Sequence, residues 1–197
     1  MTISIKPTAS GSTIEQDGST ILTVDGSGNI STPNTFTSTG AITGTGGIYL
    51  GGTASANLLD DYEEGTFTPV LFATTTSDFT YSSNYGIYTK IGNVVFVFIN
   101  IVLTSKGTSS GNIQLSNLPF TIGNVLNGTS IQCGCAIPFF GSLGTSNSGI
   151  YANPQEDTTY CNLRKLSGTS GTGLSSMGTS DLSNTSEFRI QFNYLVS

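Results

Sequence analysis

Histidine and tryptophan are absent from this 197-residue chain, and the first absence closes off much of catalysis. Without His there is no Ser-His or Cys-His nucleophile pair, no imidazole base and no imidazole-ligated metal. Charge is scarce as well: Asp, Glu, Lys and Arg make up only 9% of residues, against about 25% in ordinary soluble proteins. Six basic residues in a chain of net charge −6 cannot build the Lys/Arg stripe that grips phosphate backbones, so nucleic acid is excluded as a partner. Long apolar runs are missing too. The longest, Val94 to Leu103, is about half a membrane span and is interrupted by Asn100, so no membrane insertion is expected. The opening MTISIKPTAS lacks the apolar segment of a secretory signal, and a soluble chain made in a cytoplasm is expected.

Cysteine is sparse: Cys133, Cys135 and Cys161. A structural zinc site needs four ligands, and His cannot supply the fourth. Three reduced, inert thiols buried in strands are the expectation, since free Cys behaves as a small hydrophobe. Cys161 lies in a separate strand and is the residue able to approach one of the other two. No cofactor is expected.

What is present is Gly, Ser and Thr. Glycine supplies 25 residues, and 36% of the chain is apolar, which does not fit the low-hydrophobicity, high-charge signature of disorder. No helical apolar stripe longer than one turn occurs anywhere. The composition fits an all-β chain with a hydroxyl-rich surface.

Two regions separate on composition. Residues 1–58 read as a thin Gly/Ser/Thr-rich β stalk. Two near-repeats, GSTIEQD from Gly11 and GSTILTVD from Gly18, lead to the turn signal DGSGN at Asp25 to Asn29. The apolar residues there are too few for a private core, so the stalk is expected to borrow partners, as three chains wound about an axis would supply. Residues 59–197 read as a head of about nine strands, including Phe67 to Phe72, Ser130 to Phe139 and Glu187 to Val196. The run VVFVFINIVL reads as a central strand covered on both faces. Many short strands with turn signals between them indicate an antiparallel β-sandwich of the jelly-roll kind. Two polar stretches, Gly141 to Gly149 and Ser167 to Ser180, read as long loops suited either to hydrogen-bonding a sugar or protein partner or to simple connection.

The junction carries the most specific sequence. LDDYEEGTFTP, from Leu59 to Pro69, is followed by GIYTKIGNVVFV from Gly86 and LSNLPF from Leu115. In that order the three segments resemble the C-terminal head of fibre proteins from tailed bacteriophages, notably cyanophages and other marine phages. There the pattern runs YEEGTWTP, then a Tyr-x-Lys-Ile-Gly-Asn turn, then a Leu-Pro-Phe element. The matching positions are Tyr62, Gly65, Phe67, Pro69, Tyr88, Lys90, Gly92, Asn93, Pro119 and Phe120, with Phe67 in place of the usual Trp. The resemblance covers residues 51–122 and implies a homotrimeric virion structural protein, with no catalytic residues carried over. The opening IKPTASGSTI is also similar to the starts of short phage fibre and virion-surface proteins.

Asp60, Asp61, Glu63 and Glu64 crowd the junction. Paired carboxylates can hydrolyse glycosides, as in a capsule depolymerase, when an apolar pocket raises the pKa of one of them. These four are expected at a turn beside the stalk, and Glu156-Asp157 in a Pro-containing loop, which argues against that chemistry. In a trimer the four positions are also weak candidates for a hard cation such as calcium; the simpler expectation is that they splay outward and accept turn N–H groups. The chain therefore reads as a non-enzymatic virion-surface protein that contacts itself, other virion proteins through the stalk, and a host glycan or protein through the head. A tail fibre and a capsid-decorating protein are the two roles that fit.

Overall fold

The computed structural model of the chain describes residues 3–9, 11–33, 35–124, 135–147, 149–166 and 173–196. It is all-β with antiparallel sheets, and it divides into two compact units, residues 1–45 and 46–197.

The first unit is a four-stranded meander of β1 (Ile3–Thr8), β2 (Gly11–Gln16), β3 (Ser19–Asp25) and β4 (Ile30–Ser31). The two near-repeats are β2 and β3. Asp17-Gly18 joins them in a two-residue turn with φ of 48° and 82°, the left-handed pair that a type I′ hairpin demands. At the next turn the Asp25 carboxylate accepts the amides of Ser27 and Asn29, an Asx arrangement. The register places Ile3, Ile5, Ile14, Leu22, Val24 and Ile30 on one face. No described residue of this unit is buried.

The second unit opens with a short ribbon, β5 (Ile48–Tyr49) against β6 (Leu58–Leu59). There follow β7 (Tyr62–Phe67), β8 (Val70–Ala73), β9 (Thr80–Ile91), β10 (Val94–Ser105), β11 (Ile113–Ser116) and β12 (Cys135–Ala136). The chain ends with β13 (Phe139–Leu143), β14 (Ile150–Pro154), β15 (Cys161–Leu166), β16 (Leu174–Ser176) and β17 (Leu182–Leu195). A five-stranded sheet, ordered β13-β17-β10-β9-β7, lies against a six-stranded one in which β12-β14-β15-β11-β8 run in order and β16 pairs with β15. Leu71, Ile113, Leu115, Ile150 and Leu163 from one sheet, and Val95, Val97, Ile101, Phe188 and Ile190 from the other, share one apolar core, which makes a β-sandwich.

Three expectations change. The stretch Phe67 to Phe72 is two strands, because Pro69 cannot donate to a ladder and the chain leaves the five-stranded sheet for the other there. Half of the strand expected from Ser130 to Phe139 falls outside the described residues, and its described part divides between β12 and the start of β13. Strand β10 is central but covered on one face only: Val95, Val97, Ile99 and Ile101 point into the core while Phe96 and Phe98 stand exposed.

Candidate functional site

Most of the motif positions lie along the paired strands β7 and β9 and the turn that follows β9, with Phe120 packed on them; Tyr62 is on the outer face and Pro69 lies between β7 and β8. Gly92-Asn93 is the two-residue turn between β9 and β10, with Gly92 at φ 57°, the Gly-first composition of a type II′ hairpin. Its Gly92 amide donates to the Asp61 carbonyl at 2.7 Å, and Val196 N–H donates to the Asn93 carbonyl at 2.8 Å. Pairing of β7 with β9 then sets Glu63 opposite Lys90, Gly65 opposite Tyr88 and Phe67 opposite Gly86, all on the inward face.

Each aromatic ring lies over the glycine across from it. A Cβ on Gly65 would come 2.5 Å from the Tyr88 hydroxyl oxygen and 2.6 Å from its ring, and one on Gly86 would come 2.5 Å from the Phe67 ring. Phe67 and Tyr88 sit 6.4 Å apart, and Phe120 closes on Tyr88 edge-on at 5.3 Å and 87°. The Lys90 ammonium lies 5.6 Å above the Phe120 ring and pairs with Asp61. Phe120 N–H donates to the Tyr194 hydroxyl at 3.2 Å, and burial raises that phenol far above its ordinary pKa. Pro69 marks the crossover between sheets, and Pro119 precedes the closing Phe120. The cluster is packing: the rings of Phe67, Tyr88 and Phe120 lie against one another and against Gly65 and Gly86.

Of the junction carboxylates, Asp60 and Asp61 lie in the link between β6 and β7, whereas the other two belong to a strand. Glu63 and Glu64 lie within β7 and point to opposite faces, because side chains alternate along a strand. Glu63 accepts from the Tyr88 hydroxyl and raises that phenol's pKa; Glu64 does the same to Tyr62 on the outer side. Asp61 is taken by Lys90, and Asp60 stands against the backbone of Gly47. Among the described residues no group of three or more His, Cys, Asp or Glu is placed to hold a metal. Glu156 and Asp157 lie between β14 and β15, with Asp157 in a left-handed conformation at φ 59°.

The two polar stretches meet, which sequence did not indicate. Asp181 is buried between them: its Oδ1 accepts from Thr145 Oγ1 at 2.7 Å and Lys165 Nζ at 2.5 Å, and its Oδ2 accepts from the Gly178 amide at 2.9 Å. Burial acts to raise this carboxyl, but the Lys165 ammonium, the Gly178 N–H and the Thr145 hydroxyl together hold it below the usual carboxylate range. Gly144 N–H also donates to the Asp181 carbonyl at 2.9 Å. The stretches are less loop-like than expected, since Gly141 to Leu143 belong to β13, Leu174 to Ser176 form β16, and Met177 is fully buried. Residues 167–172 and Ser148 lie outside the described part. Only the Gly178 contact is local, three residues away; Lys165 and Thr145 are 16 and 36 residues away, so the sequence does not bring them together.

Cys135 and Cys161 are free thiols, half-buried and buried respectively, and burial raises both pKa values, Cys161 well above the ordinary thiol range. Cys133 lies outside the described residues.

No protein-family model and no curated protein matches the chain. Among solved structures, the crystal structure of the Dettilon tailspike protein is similar to it, with a TM-score of 0.53 and 22% identity over 68% of this chain and 23% of that one. The likeness is one of fold, and the chain spans less than a quarter of the tailspike's length.

Proposed function

We propose that this chain is a non-enzymatic structural protein of a bacteriophage virion: a short homotrimeric fibre, anchored through its N-terminal unit, whose head contacts the host surface. The observation that carries this reading is the motif cluster. Three segments that resemble phage fibre heads, 51–122 in sequence, pack together in the sandwich, and that sandwich is similar in fold to a tailspike. The non-enzymatic part of the reading draws support from the junction carboxylates: Glu63 and Glu64 point to opposite faces, and Asp61, Glu63 and Glu64 are engaged by Lys90, Tyr88 and Tyr62 respectively. The first unit supports an assembled state. A small sheet with an apolar face and, among its described residues, none that is buried has not gained enough burial to hold itself together, so other chains complete it.

The same apolar sheet suits a second role, lying on a capsid shell as a decorating protein. Deleting residues 1–45 separates the two. For a tail fibre, the truncated protein stays folded, is lost from particles, and adsorption falls while the shell keeps its strength. For a decorating protein, the loss instead leaves adsorption intact and makes the shell fragile. Incorporation unaffected by the deletion would refute anchoring through this unit in either role.

A further inference from the structure

The two outer faces of the sandwich differ in a way that solvent does not explain. On the six-stranded sheet the outward row reads Asn153, Asn162, Gln114 and Phe72, with Gln114 donating to Asn162 at 3.1 Å, and Arg164 donates to Ser176 at 3.0 Å. That face is mainly polar, with Asn153 itself buried and with Phe72 and the Leu166–Leu174 pair as its exposed large hydrophobics, three against the seven of the other face. On the five-stranded sheet the outward rows read Phe139, Arg189, Asn100 and Tyr85; then Gln191, Phe98, Ile87 and Thr66; then Asn193, Phe96, Thr89 and Glu64; then Leu195, Val94, Ile91 and Tyr62. Tyr62, Tyr85, Ile87, Ile91, Phe96, Phe98 and Phe139 are each between 42% and 58% exposed.

The area is large. Five half-exposed aromatics, at ~150–250 Å² for a whole side chain, amount to about 400–600 Å². That already reaches the largest apolar patch of an ordinary monomer, roughly 300–600 Å², before Ile87 and Ile91 are added. It approaches the roughly 800 Å² that each partner contributes to a stable complex. A second observation lies inside the patch. Asn100 donates its Nδ2 to Ser83 Oγ at 2.7 Å, yet its Oδ1 is buried and accepts nothing. It borders a cleft of about 330 Å³ lined by Tyr85, Ile87, Phe98, Arg189 and Gln191. An orphaned buried acceptor is costly, and a donor arriving from outside removes that cost.

We infer that the outward face of the five-stranded sheet, centred on Phe96, Phe98 and Asn100, is the surface by which the heads of separate copies of this chain associate. The face is self-complementary in charge. Arg189 stacks on Phe139 at 4.9 Å beside Glu187, its ion-pair partner at 3.1 Å, so cation and anion both sit at its rim. Glu64, bonded to Tyr62, stands across the sheet on β7, so a cation toward one edge and an anion toward the other frame the apolar centre, which in a chain with twice as many acidic as basic residues suits another copy better than an acidic or basic stranger. Polar edge, apolar centre and one buried amide that fixes register are the composition of a specific interface.

This inference rests on the trimer reading above, and the test separates the two. Phe96→Gln with Phe98→Gln changes only outward positions of β10. Full-length protein is compared by light scattering, with circular dichroism and a denaturation curve to establish folding. The expected result is a wild-type mass three times the 20.4 kDa chain and a folded variant whose mass falls by up to threefold. Because the first unit also joins copies, mass is followed on dilution: a variant that dissociates at the same concentration as the wild type overturns the interface but leaves the trimer standing, and a monomeric wild type overturns both. A variant of unchanged mass that loses particle incorporation or cell binding would assign the face to another virion protein or to a host ligand, against this inference. Should the double variant fail to fold, a spin label on Thr89→Cys in otherwise wild-type protein reads the same question. Short distances between copies are expected, and distances spanning the molecule refute the face.

Discussion

Tyr88 and Gly65 are cross-strand neighbours in which the ring of one occupies the space a side chain on the other would need. Phe67 and Gly86 repeat the relationship one step along the same pair of strands, with the roles of the strands exchanged. Aromatic cover of a strand glycine offsets the packing that glycine lacks, and here it locks the register of β7 on β9.

Gly65→Ala and Gly86→Ala are therefore expected to destabilise the head by about 1–3 kcal/mol each, the usual cost of forcing a methyl into a filled site. Tyr88 cannot simply swing away, because Phe67 and Phe120 bracket it. Urea denaturation gives the values. Combining Gly65→Ala with Tyr88→Leu should cost less than the two changes added, since the second removes the obstacle to the first. Strict additivity would mean that the ring is not what excludes a side chain at Gly65.

Lys90 is the buried partner of a half-exposed one: its side chain is 10% accessible and that of Asp61 47%. Asp61→Asn leaves an ammonium held among Tyr88 and Phe120 without its counter-charge. Breaking a fully buried pair costs roughly 3–5 kcal/mol; water around Asp61 reduces this to about 1–2 kcal/mol. Lys90→Met keeps the apolar stem and removes the charge, so it should cost less than Asp61→Asn. The reverse order in denaturation curves would show that the pair, and not burial of the lysine stem, holds this cluster together.

Much of this architecture is legible in the sequence. Asp17-Gly18 between two β-prone repeats is among the strongest short-range hairpin signals, and Gly92-Asn93 fixes β9 on β10 in the same way. The alternation in FRIQFNYLV gives the inward set Phe188, Ile190, Phe192 and Tyr194 of β17 directly. The run VVFVFINIVL is different, because it is apolar at almost every position. Periodicity cannot separate a face buried by the second sheet from one left outward, so the exposure of Phe96 and Phe98 had to come from the packing. The motif segments were visible, but their meeting was not, since the Gly65–Tyr88 pairing depends on the register of β7 across a 23-residue separation that no turn sets. Asp181 was illegible for a related reason: of the groups that hold its carboxylate, Thr145 and Lys165 are distant in sequence and only Gly178 is local.

Asp181 gives a pH dependence with a definite sign. Its folded pKa lies below the ordinary value, and in the unfolded chain it returns to about 3.9. A depressed carboxyl adds stability that is fully present above the unfolded value and is lost as pH falls through the folded one. Wild-type protein should therefore lose stability as pH drops below about 4, and Asp181→Asn should be less stable at neutral pH with a shallower acid limb. Thermal midpoints measured from neutral to acid pH test this; parallel curves for the two proteins would rule out the Lys165–Asp181 contact as a contributor to acid unfolding.

Cys161 offers a sharper test of the core, because it is completely buried at the seam where β15 meets β11 and β14. Burial, with Cys135 nearby as a smaller contribution, holds its thiol well above the ordinary range, so in the folded protein it carries neither the thiolate nor the access that reagents need. Thiol titration should leave Cys161 silent until denaturant is added, identified by mass mapping of the labelled peptide. Replacement then separates volume from polarity. Cys161→Ala removes only a sulfur and should cost about 1 kcal/mol, at the low end of small core deletions. Cys161→Ser is closer in size but puts a hydroxyl among Leu115, Leu163 and other apolar neighbours of the core; an unsatisfied buried hydroxyl costs about 1–3 kcal/mol. Serine should thus be the worse substitute despite its shape. If alanine is instead the more damaging of the two, the site tolerates polarity and a water or backbone carbonyl reaches it. If Cys161 never reacts, even unfolded, unless a reductant is present, it is bridged, and the free-thiol assignment for this position fails.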